Sequence, residues 1–85
     1  MIDFDPEKDR LNIAKHGISL AKALDLEHIT SVPDLRFEEA RFRAYGFIEG
    51  EYYCLAYTLR GGRLRAISLR RAHKKEIIRH VENEE

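Results

Sequence analysis

Two arginines and a glutamate have the chemistry needed to act on a phosphodiester. Glu39 and Arg41 are two residues apart, and Arg65 lies in a later segment of similar alternating pattern. Cleavage of RNA by its own 2′-hydroxyl needs a base, cations that stabilise the phosphorane, and an acid for the leaving 5′-oxygen. Glu39 is the candidate base. Arg41 and Arg65 are the candidate cations, because a guanidinium can bind two phosphate oxygens at once. Such a site requires no metal or other cofactor.

The charge distribution indicates a polyanionic partner. The 85 residues include 15 Lys or Arg and 15 Asp or Glu, so the formal net charge is zero. The segment 60–80, however, contains eight basic residues and one acidic residue, Glu76, and has a net charge of +7. A basic block of this kind attracts nucleic acid. The alternative, a solvated strand and helix without a partner, is equally open.

Other catalytic and targeting patterns are missing from the sequence. The four histidines do not have zinc-ligand spacing, and there is no Gly-rich phosphate loop or Ser/His/Asp pattern. The single cysteine, Cys54, lies between apolar residues and is predicted to be a core residue. No apolar run is long enough for a signal peptide or a bilayer span, so we expect a soluble, cytoplasmic protein with no membrane partner. The length predicts one domain over residues 1–85.

The first third of the chain predicts two helices. Residues 2–4 are a short apolar start and a possible edge strand. The run Asp5-Pro6-Glu7 is a helix start, and Gly17 is expected to end that helix. Ser19 is predicted to cap a second helix. The apolar residues expected on the inner faces of the two helices are Leu11, Ala14, Ile18, Leu20, Ala23 and Leu24.

The rest of the chain predicts an antiparallel sheet followed by a helix. Alternation predicts strands over 41–48, 51–60 and 63–71, joined by two-residue turns at Glu49-Gly50 and Gly61-Gly62. Pro33 restricts 29–35 to a loop or an edge strand. A final helix is predicted over 73–81. The expected fold class is therefore α+β.

Two-residue turns set the strand register and so determine which side chains share a face. In the second hairpin the expected pairs are Arg60–Arg63, Thr58–Arg65, Ala56–Ile67 and Cys54–Leu69. One face is then nearly all apolar and should pack on the helices, with Ser68 and Arg70 at its end. The other face is predicted to carry Glu39, Arg41, Arg43, Tyr45, Phe47, Tyr52, Thr58, Arg65 and Arg71. A bulge in either hairpin would reverse this assignment.

The second face places Arg41 and Arg65 in one row across the strands. Like charges side by side repel, so an anion between them or neutralisation by Glu39 explains the row. RNA provides such an anion, and Tyr45 and Tyr52 are available to stack on its bases. The alternative is an ordinary solvated sheet face in which Glu39 is only an ion-pair partner.

Several short motifs, in order along nearly the whole chain, resemble the BrnT toxin family. They are Lys15-His16-Gly17 after the Asp5-Pro6 helix start, Pro33-Asp34, Glu39 and Arg41 before Gly46, and the run RLRAISLRRA at 63–72. The resemblance implies a compact RelE-like fold, with N-terminal helices packed on an antiparallel sheet and a C-terminal helix. It also implies a type II toxin that cleaves RNA and inhibits translation. The implied partners are RNA, a BrnA-like antitoxin with a ribbon-helix-helix domain, and operator DNA bound by the toxin–antitoxin complex.

Carried over by position, the resemblance implies that the catalytic residues are Glu39, Arg41, Arg65 and Arg70. An alternative for Arg70 is to anchor the sheet to an acidic group such as Asp34. Residues expected to bind RNA are Lys15, His16, Arg43, Tyr45, Arg60 and Arg71. His16 is also a candidate general acid, since histidine titrates near neutrality, although Lys15 and His16 equally suit a helix C-terminus.

Two further function classes stay open. One is a non-catalytic module whose basic face holds nucleic acid or an acidic protein segment. The other is a degenerate toxin that keeps only its antitoxin-binding surface. Loss of Glu39 separates an enzyme from a binding module, because it should slow cleavage in the first and tighten anion binding in the second.

Overall fold

A four-stranded antiparallel sheet with the strand order β1-β2-β3-β4 forms the centre of the molecule. The computed structural model describes residues 2–80. In chain order the elements are α1 (Pro6–His16), a 3₁₀ helix (Leu20–Asp25), β1 (Glu27–Asp34), β2 (Arg41–Ile48), β3 (Glu51–Arg60), β4 (Arg63–Arg71) and α2 (Lys74–His80). The predicted α+β class is confirmed, and Pro33 lies in an edge strand. The predicted last residue of the final helix, Val81, lies outside the described residues.

Helix α1 begins and ends as predicted, but its inner face differs from the prediction. The Asp5 side chain accepts a hydrogen bond from the Glu7 N–H, and Gly17 ends the helix with a φ of 71°. Leu11 and Ala14 are exposed, so their predicted inward positions are wrong. The buried residue of α1 is Asn12, which is 5% exposed.

The second helix is a 3₁₀ helix, which explains why one predicted core residue faces solvent. Ser19 caps it by accepting a hydrogen bond from the Ala21 N–H at 3.2 Å. Three residues per turn place Leu20, Ala23 and Leu26 on one side, and all three are buried. Leu24, predicted to point inward on an α-helical spacing, is 62% exposed.

Both predicted hairpin turns are present. Glu49 and Gly50 have φ values of 50° and 81°, and Gly61 and Gly62 have φ values of 58° and 78°. Positive φ at both turn residues is the type I′ geometry that suits a two-residue hairpin. The β2–β3 register, from Arg41–Thr58 to Ile48–Glu51, is the one that a two-residue turn at Glu49-Gly50 requires.

A β-bulge in β4 overturns part of the predicted register. Ala66 pairs with Tyr57 and Ser68 pairs with Ala56, so Ile67 is the extra residue on its strand. The predicted pairs Ala56–Ile67 and Cys54–Leu69 are therefore wrong, and the observed pairs are Ala56–Ser68 and Cys54–Arg70. An extra residue reverses the side to which all later side chains point. Ser68 and Arg70 thus share a face with Arg41 and Arg43, which we call the arginine face, whereas Arg71 turns to the helix-packed face.

The two faces of the sheet are covered differently. The helix-packed face holds the main core, which comprises Leu20, Ala23, Leu26, Ala44, Ile48, Leu55, Ala66 and Leu69. On the arginine face, Tyr45, Tyr52 and Cys54 form a smaller buried cluster against which Ile77 of α2 packs. The predicted strand at 2–4 is reduced to one parallel bridge between Asp3 and Arg65. Helix α2 therefore covers only one end of the arginine face, and the candidate site lies at the other end.

Candidate active site

The open end of the arginine face contains a groove of about 230 Å³ that we call the arginine groove. Arg41 and Arg43 line it from β2, where a spacing of two residues puts both side chains on the same face. Arg70 lines it from β4, and it reaches this face only because of the bulge at Ile67. These three guanidinium groups from two strands, together with Arg36 from the β1–β2 connection, border one cavity, an arrangement suited to a phosphate.

Arg41 is held in place by two neighbours. Its Nε donates a hydrogen bond to Glu39 Oε1 at 2.8 Å, and its guanidinium carbon lies 4.1 Å from the centre of the Phe37 ring. The ion pair and the cation–π contact fix the plane of the guanidinium group. The Glu39 contact uses Nε, which leaves both terminal nitrogens of Arg41 for an anion in the groove.

Arg43 shares an acidic partner with Arg36. Asp34 Oδ2 lies 2.8 Å from Arg36 Nη2 and 3.3 Å from Arg43 Nε. The Arg36 hydrogen bonds hold the pKa of Asp34 well below its usual range. Asp34 is therefore an ionised anchor for these two arginines. The alternative that Arg70 binds an acidic group agrees with the structure, but that group is Glu76 and not Asp34.

Arg70 is instead anchored by helix α2. Its Nη1 and Nη2 donate to the two carboxylate oxygens of Glu76 at 2.8 and 3.0 Å. Glu76 also accepts from the Tyr45 hydroxyl at 2.9 Å and from the His73 N–H at 2.8 Å. Burial alone would raise the pKa of Glu76, but the hydrogen bonds from Arg70, His73 and Tyr45 lower it to about 2. The carboxylate is consequently ionised at neutral pH and neutralises part of the arginine face.

A second groove, of about 190 Å³, runs between α1 and β4, and we call it the α1 groove. Lys8, Lys15 and His16 line it from the helix, and Ile67 and Ser68 line it from the strand. Ile67 and Ser68 also line the arginine groove, so the two grooves meet at the bulge. Burial, followed by the charges of Lys15 and Arg70, lowers the pKa of His16 below its ordinary value of 6.5. His16 is thus close enough to Arg70 to respond to its charge.

Arg65, a predicted catalytic residue, does not line either groove. Its cross-strand pairing with Thr58 puts it on the same face as Arg41, as the register predicted. Its Nη1, however, donates to Asp3 Oδ2 at 2.7 Å, beside the outer edge of β4. The structure therefore brings Arg41 and Arg70 to one groove, whereas Glu39, which binds Arg41 Nε, and Arg65 both lie outside its lining.

The other predicted RNA-binding residues are in different positions. Tyr45 is 2% exposed, and its hydroxyl contacts Glu76 beneath α2. Arg60 lies at the exposed end of the β3–β4 hairpin. Arg71 pairs with Glu51 at 2.6 Å on the helix-packed face, so its predicted position on the arginine face is wrong. Lys15, His16 and Arg43 line the two grooves.

Sequence reasoning missed three contributors to the site. Glu76 anchors Arg70, and its position as the one acid in a basic segment was a signal that could have identified it. Ser68 was assigned to the core face because the bulge was not foreseen. Asn12 binds the backbone of Leu69, and a polar residue in an otherwise amphipathic helix gave no sign of this role.

Within residues 2–80 no group of three or more His, Cys, Asp or Glu side chains could hold a metal ion. Over the same residues no helix is long and apolar enough to span a membrane.

Comparisons with known proteins identify the family and the fold. The family described as the ribonuclease toxin BrnT of type II toxin–antitoxin systems matches this chain over residues 4–76. Among solved structures, the Brucella abortus ribonuclease toxin BrnT is similar, with a TM-score of 0.72 and 27% sequence identity over 86% of this chain and 96% of that chain. Among curated proteins there is no significant match. The resemblance inferred from the sequence motifs and the expected α+β fold are both confirmed.

Proposed function

Because this chain belongs to the BrnT family of ribonuclease toxins of type II toxin–antitoxin systems, we propose that it is a metal-independent endoribonuclease. It cleaves RNA in the cytoplasm by attack of the 2′-hydroxyl on the neighbouring phosphorus, and this cleavage inhibits translation. A BrnA-like ribbon-helix-helix antitoxin neutralises it, and the complex binds its own operator DNA.

The observation that carries this proposal is the convergence of Arg41, Arg43 and Arg70 on one groove. In-line attack at phosphorus builds negative charge on the non-bridging oxygens, and preorganised guanidinium groups stabilise that charge without a metal. Arg41 has the most donors to offer, since Glu39 accepts only from its Nε. Arg70 and Arg43 add positive charge, even though Glu76 and Asp34 use part of their hydrogen-bonding capacity.

Glu39 and His16 are the proposed proton-transfer groups. Glu39 binds Arg41 from outside the lining of the arginine groove, and His16 lies beyond the bulge in the adjoining α1 groove. A phosphate held between them would have one group near the attacking oxygen and the other near the leaving oxygen, as an in-line reaction requires. We assign Glu39 as the base for the 2′-hydroxyl and His16 as the acid for the 5′-oxygen.

Arg65 has a lesser role in this proposal. The sequence and the resemblance both favoured it as a transition-state cation. Its ion pair with Asp3 turns part of the guanidinium group toward the outer edge of β4. We therefore propose that Arg41 and Arg70 hold the transition-state charge and that Arg65 contacts the RNA outside the cleaved phosphate.

The proposal is tested by comparing Arg41→Ala and Arg70→Ala with the control Arg71→Ala. Removal of one transition-state donor typically costs about 10²- to 10³-fold in rate, so both groove variants should lose most cleavage. Arg71 pairs with Glu51 on the opposite face, and its variant should cleave like the wild type. Cleavage is measured by primer extension on a defined RNA, with and without EDTA, and folding by circular dichroism. Full cleavage by a folded Arg70→Ala protein would reject the proposed site, and loss of cleavage in EDTA would reject metal independence.

Glu39→Gln separates the enzyme from a non-catalytic binding module. A lost base slows cleavage and leaves RNA affinity nearly unchanged. In a pure binding module the same change removes a negative charge beside Arg41 and tightens RNA binding, with no cleavage to lose. The comparison needs single-turnover cleavage rates and equilibrium binding measured on the same RNA.

A further inference from the structure

The α1 groove is built from long cationic side chains over a polar strand residue. Lys8 and Lys15 are seven residues apart, which is about two helical turns or roughly 10 Å along the axis, and both line the groove. Two lysine side chains at this spacing can bend toward an anion that lies between them. Ser68 faces them from β4, and its hydroxyl can donate to a phosphate oxygen or to a ribose hydroxyl.

The two grooves differ in how their positive charge is balanced. Each of the four arginines lining the arginine groove has a carboxylate partner: Glu39 for Arg41, Asp34 for Arg36 and Arg43, and Glu76 for Arg70. Within residues 2–80 no acidic side chain lines the α1 groove, and neither Lys8 nor Lys15 forms an ion pair. The α1 groove therefore presents positive charge that the described part of the chain does not neutralise.

We propose that the α1 groove binds a backbone phosphate of the RNA next to the phosphate that is cleaved. The proposal deepens the proposed function and rests on it. One strand would pass over the bulge, with the cleaved phosphate in the arginine groove and its neighbour between Lys8 and Lys15. Ile67 and Ser68 belong to both grooves and form the boundary between the two phosphate positions.

Two features favour RNA over an acidic protein segment as the occupant. The α1 groove shares Ile67 and Ser68 with the groove of the proposed reaction, so an RNA strand, which has a charge at every nucleotide, would place phosphates in both. Ser68 lies where the two grooves meet, at the place where the ribose between the two phosphates would lie. A hydroxyl at that position suits a sugar with a 2′-hydroxyl.

The test uses a short, uncleavable 2′-O-methyl RNA, with affinity measured by fluorescence anisotropy at several salt concentrations. Lys8→Ala and Lys15→Ala should each weaken binding, and the slope of log K against log salt should fall by about 0.7 for each phosphate contact that is lost. The matched control is Lys22→Ala, which removes a lysine that pairs with Asp25 on the 3₁₀ helix, away from both grooves. That control should keep the affinity and the slope of the wild type.

Replacing single phosphates by neutral methylphosphonates locates the contact. In the wild type, neutralising the phosphate next to the cleavage position should weaken binding. In the Lys8→Ala, Lys15→Ala double variant the same replacement should have no further effect.

An unchanged salt slope in both single variants overturns the proposal. Unchanged RNA binding with weakened antitoxin binding also overturns it and assigns the groove to the protein partner. These measurements record binding and not cleavage. The α1-groove proposal can therefore be rejected while Arg70→Ala still abolishes cleavage, and the ribonuclease proposal can be rejected while the lysine variants still weaken RNA binding.

Discussion

The side-chain amide of Asn12 hydrogen-bonds to both backbone groups of Leu69. Nδ2 donates to the Leu69 carbonyl at 2.8 Å, and Oδ1 accepts from the Leu69 N–H at 3.0 Å. Since β4 is an edge strand, Asn12 supplies the hydrogen bonds that a neighbouring strand would otherwise make. Leu69 lies between the bulge and Arg70, so this contact ties α1 to the segment that directs Arg70 into the arginine groove.

Asn12→Ala should lower the free energy of unfolding by about 2–4 kcal/mol, because it leaves two buried backbone groups of Leu69 without partners. Urea unfolding followed by circular dichroism measures this. The control is Ile13→Ala, which changes an exposed residue of the same helix and should cost under about 1 kcal/mol. Equal losses in the two variants would show that the Leu69 hydrogen bonds add little stability.

The pH dependence of stability should report on Glu76. The pKa of Glu76 is about 2 in the folded protein, against an ordinary value of 4.5. A lowered pKa stabilises the folded state fully above about pH 4.5, and this contribution is lost as the pH falls toward 2. Glu76→Gln should therefore flatten the loss of stability over this range, as measured by urea unfolding between pH 2 and pH 6.

Asp34 contributes to the same acid range, because its pKa is also lowered. Asp34→Asn should thus remove another part of the slope, and the double variant should be the flattest of the series. A Glu76→Gln protein with the same pH dependence as the wild type would contradict the lowered pKa of Glu76.

Glu76 should also compete with RNA for Arg70. Both terminal nitrogens of Arg70 bind the Glu76 carboxylate, so a neutral amide at this position makes them more available to phosphate. Glu76→Gln should tighten binding of uncleavable RNA by up to about fivefold, equivalent to the roughly 1 kcal/mol of a partly exposed ion pair. The control Glu51→Gln changes a carboxylate that pairs with Arg71 on the other face, and it should leave RNA affinity unchanged. Weaker binding by Glu76→Gln would mean that Glu76 mainly positions Arg70.

His16 should titrate below its ordinary pKa of 6.5, because burial and the charges of Lys15 and Arg70 disfavour its protonated form. An NMR titration of the His16 ring measures this directly. Arg70→Gln should raise the pKa of His16, whereas the control Arg65→Gln should not, since Arg65 pairs with Asp3 outside the grooves.

If His16 is the general acid, the cleavage rate should fall as the pH rises through the pKa of His16, and His16→Gln should abolish this dependence. A His16 pKa that is unchanged by Arg70→Gln would show that the charge of Arg70 does not affect His16.

Much of the fold follows from local patterns in the sequence. The Asp5-Pro6 start, the Gly17 end and the two type I′ turns each depend on a few neighbouring residues, because capping groups and positive φ angles are local requirements. Alternation then determined the strands, and the β2–β3 register followed from the Glu49-Gly50 turn. The Glu39–Arg41 pair is equally local, since the two residues are separated by a single position.

Tertiary structure decided which arginines share the site. The bulge at Ile67 comes after a correctly predicted turn, and one extra residue moved Arg70 into the arginine groove and Arg71 out of the arginine face. Its position depends on contacts that are distant in sequence, such as Asn12 with Leu69, and no local pattern encodes them. The pairing of Arg65 with Asp3 likewise joins residues that are 62 positions apart. The sequence determined the residue types available for phosphate chemistry, and long-range packing determined which of them meet.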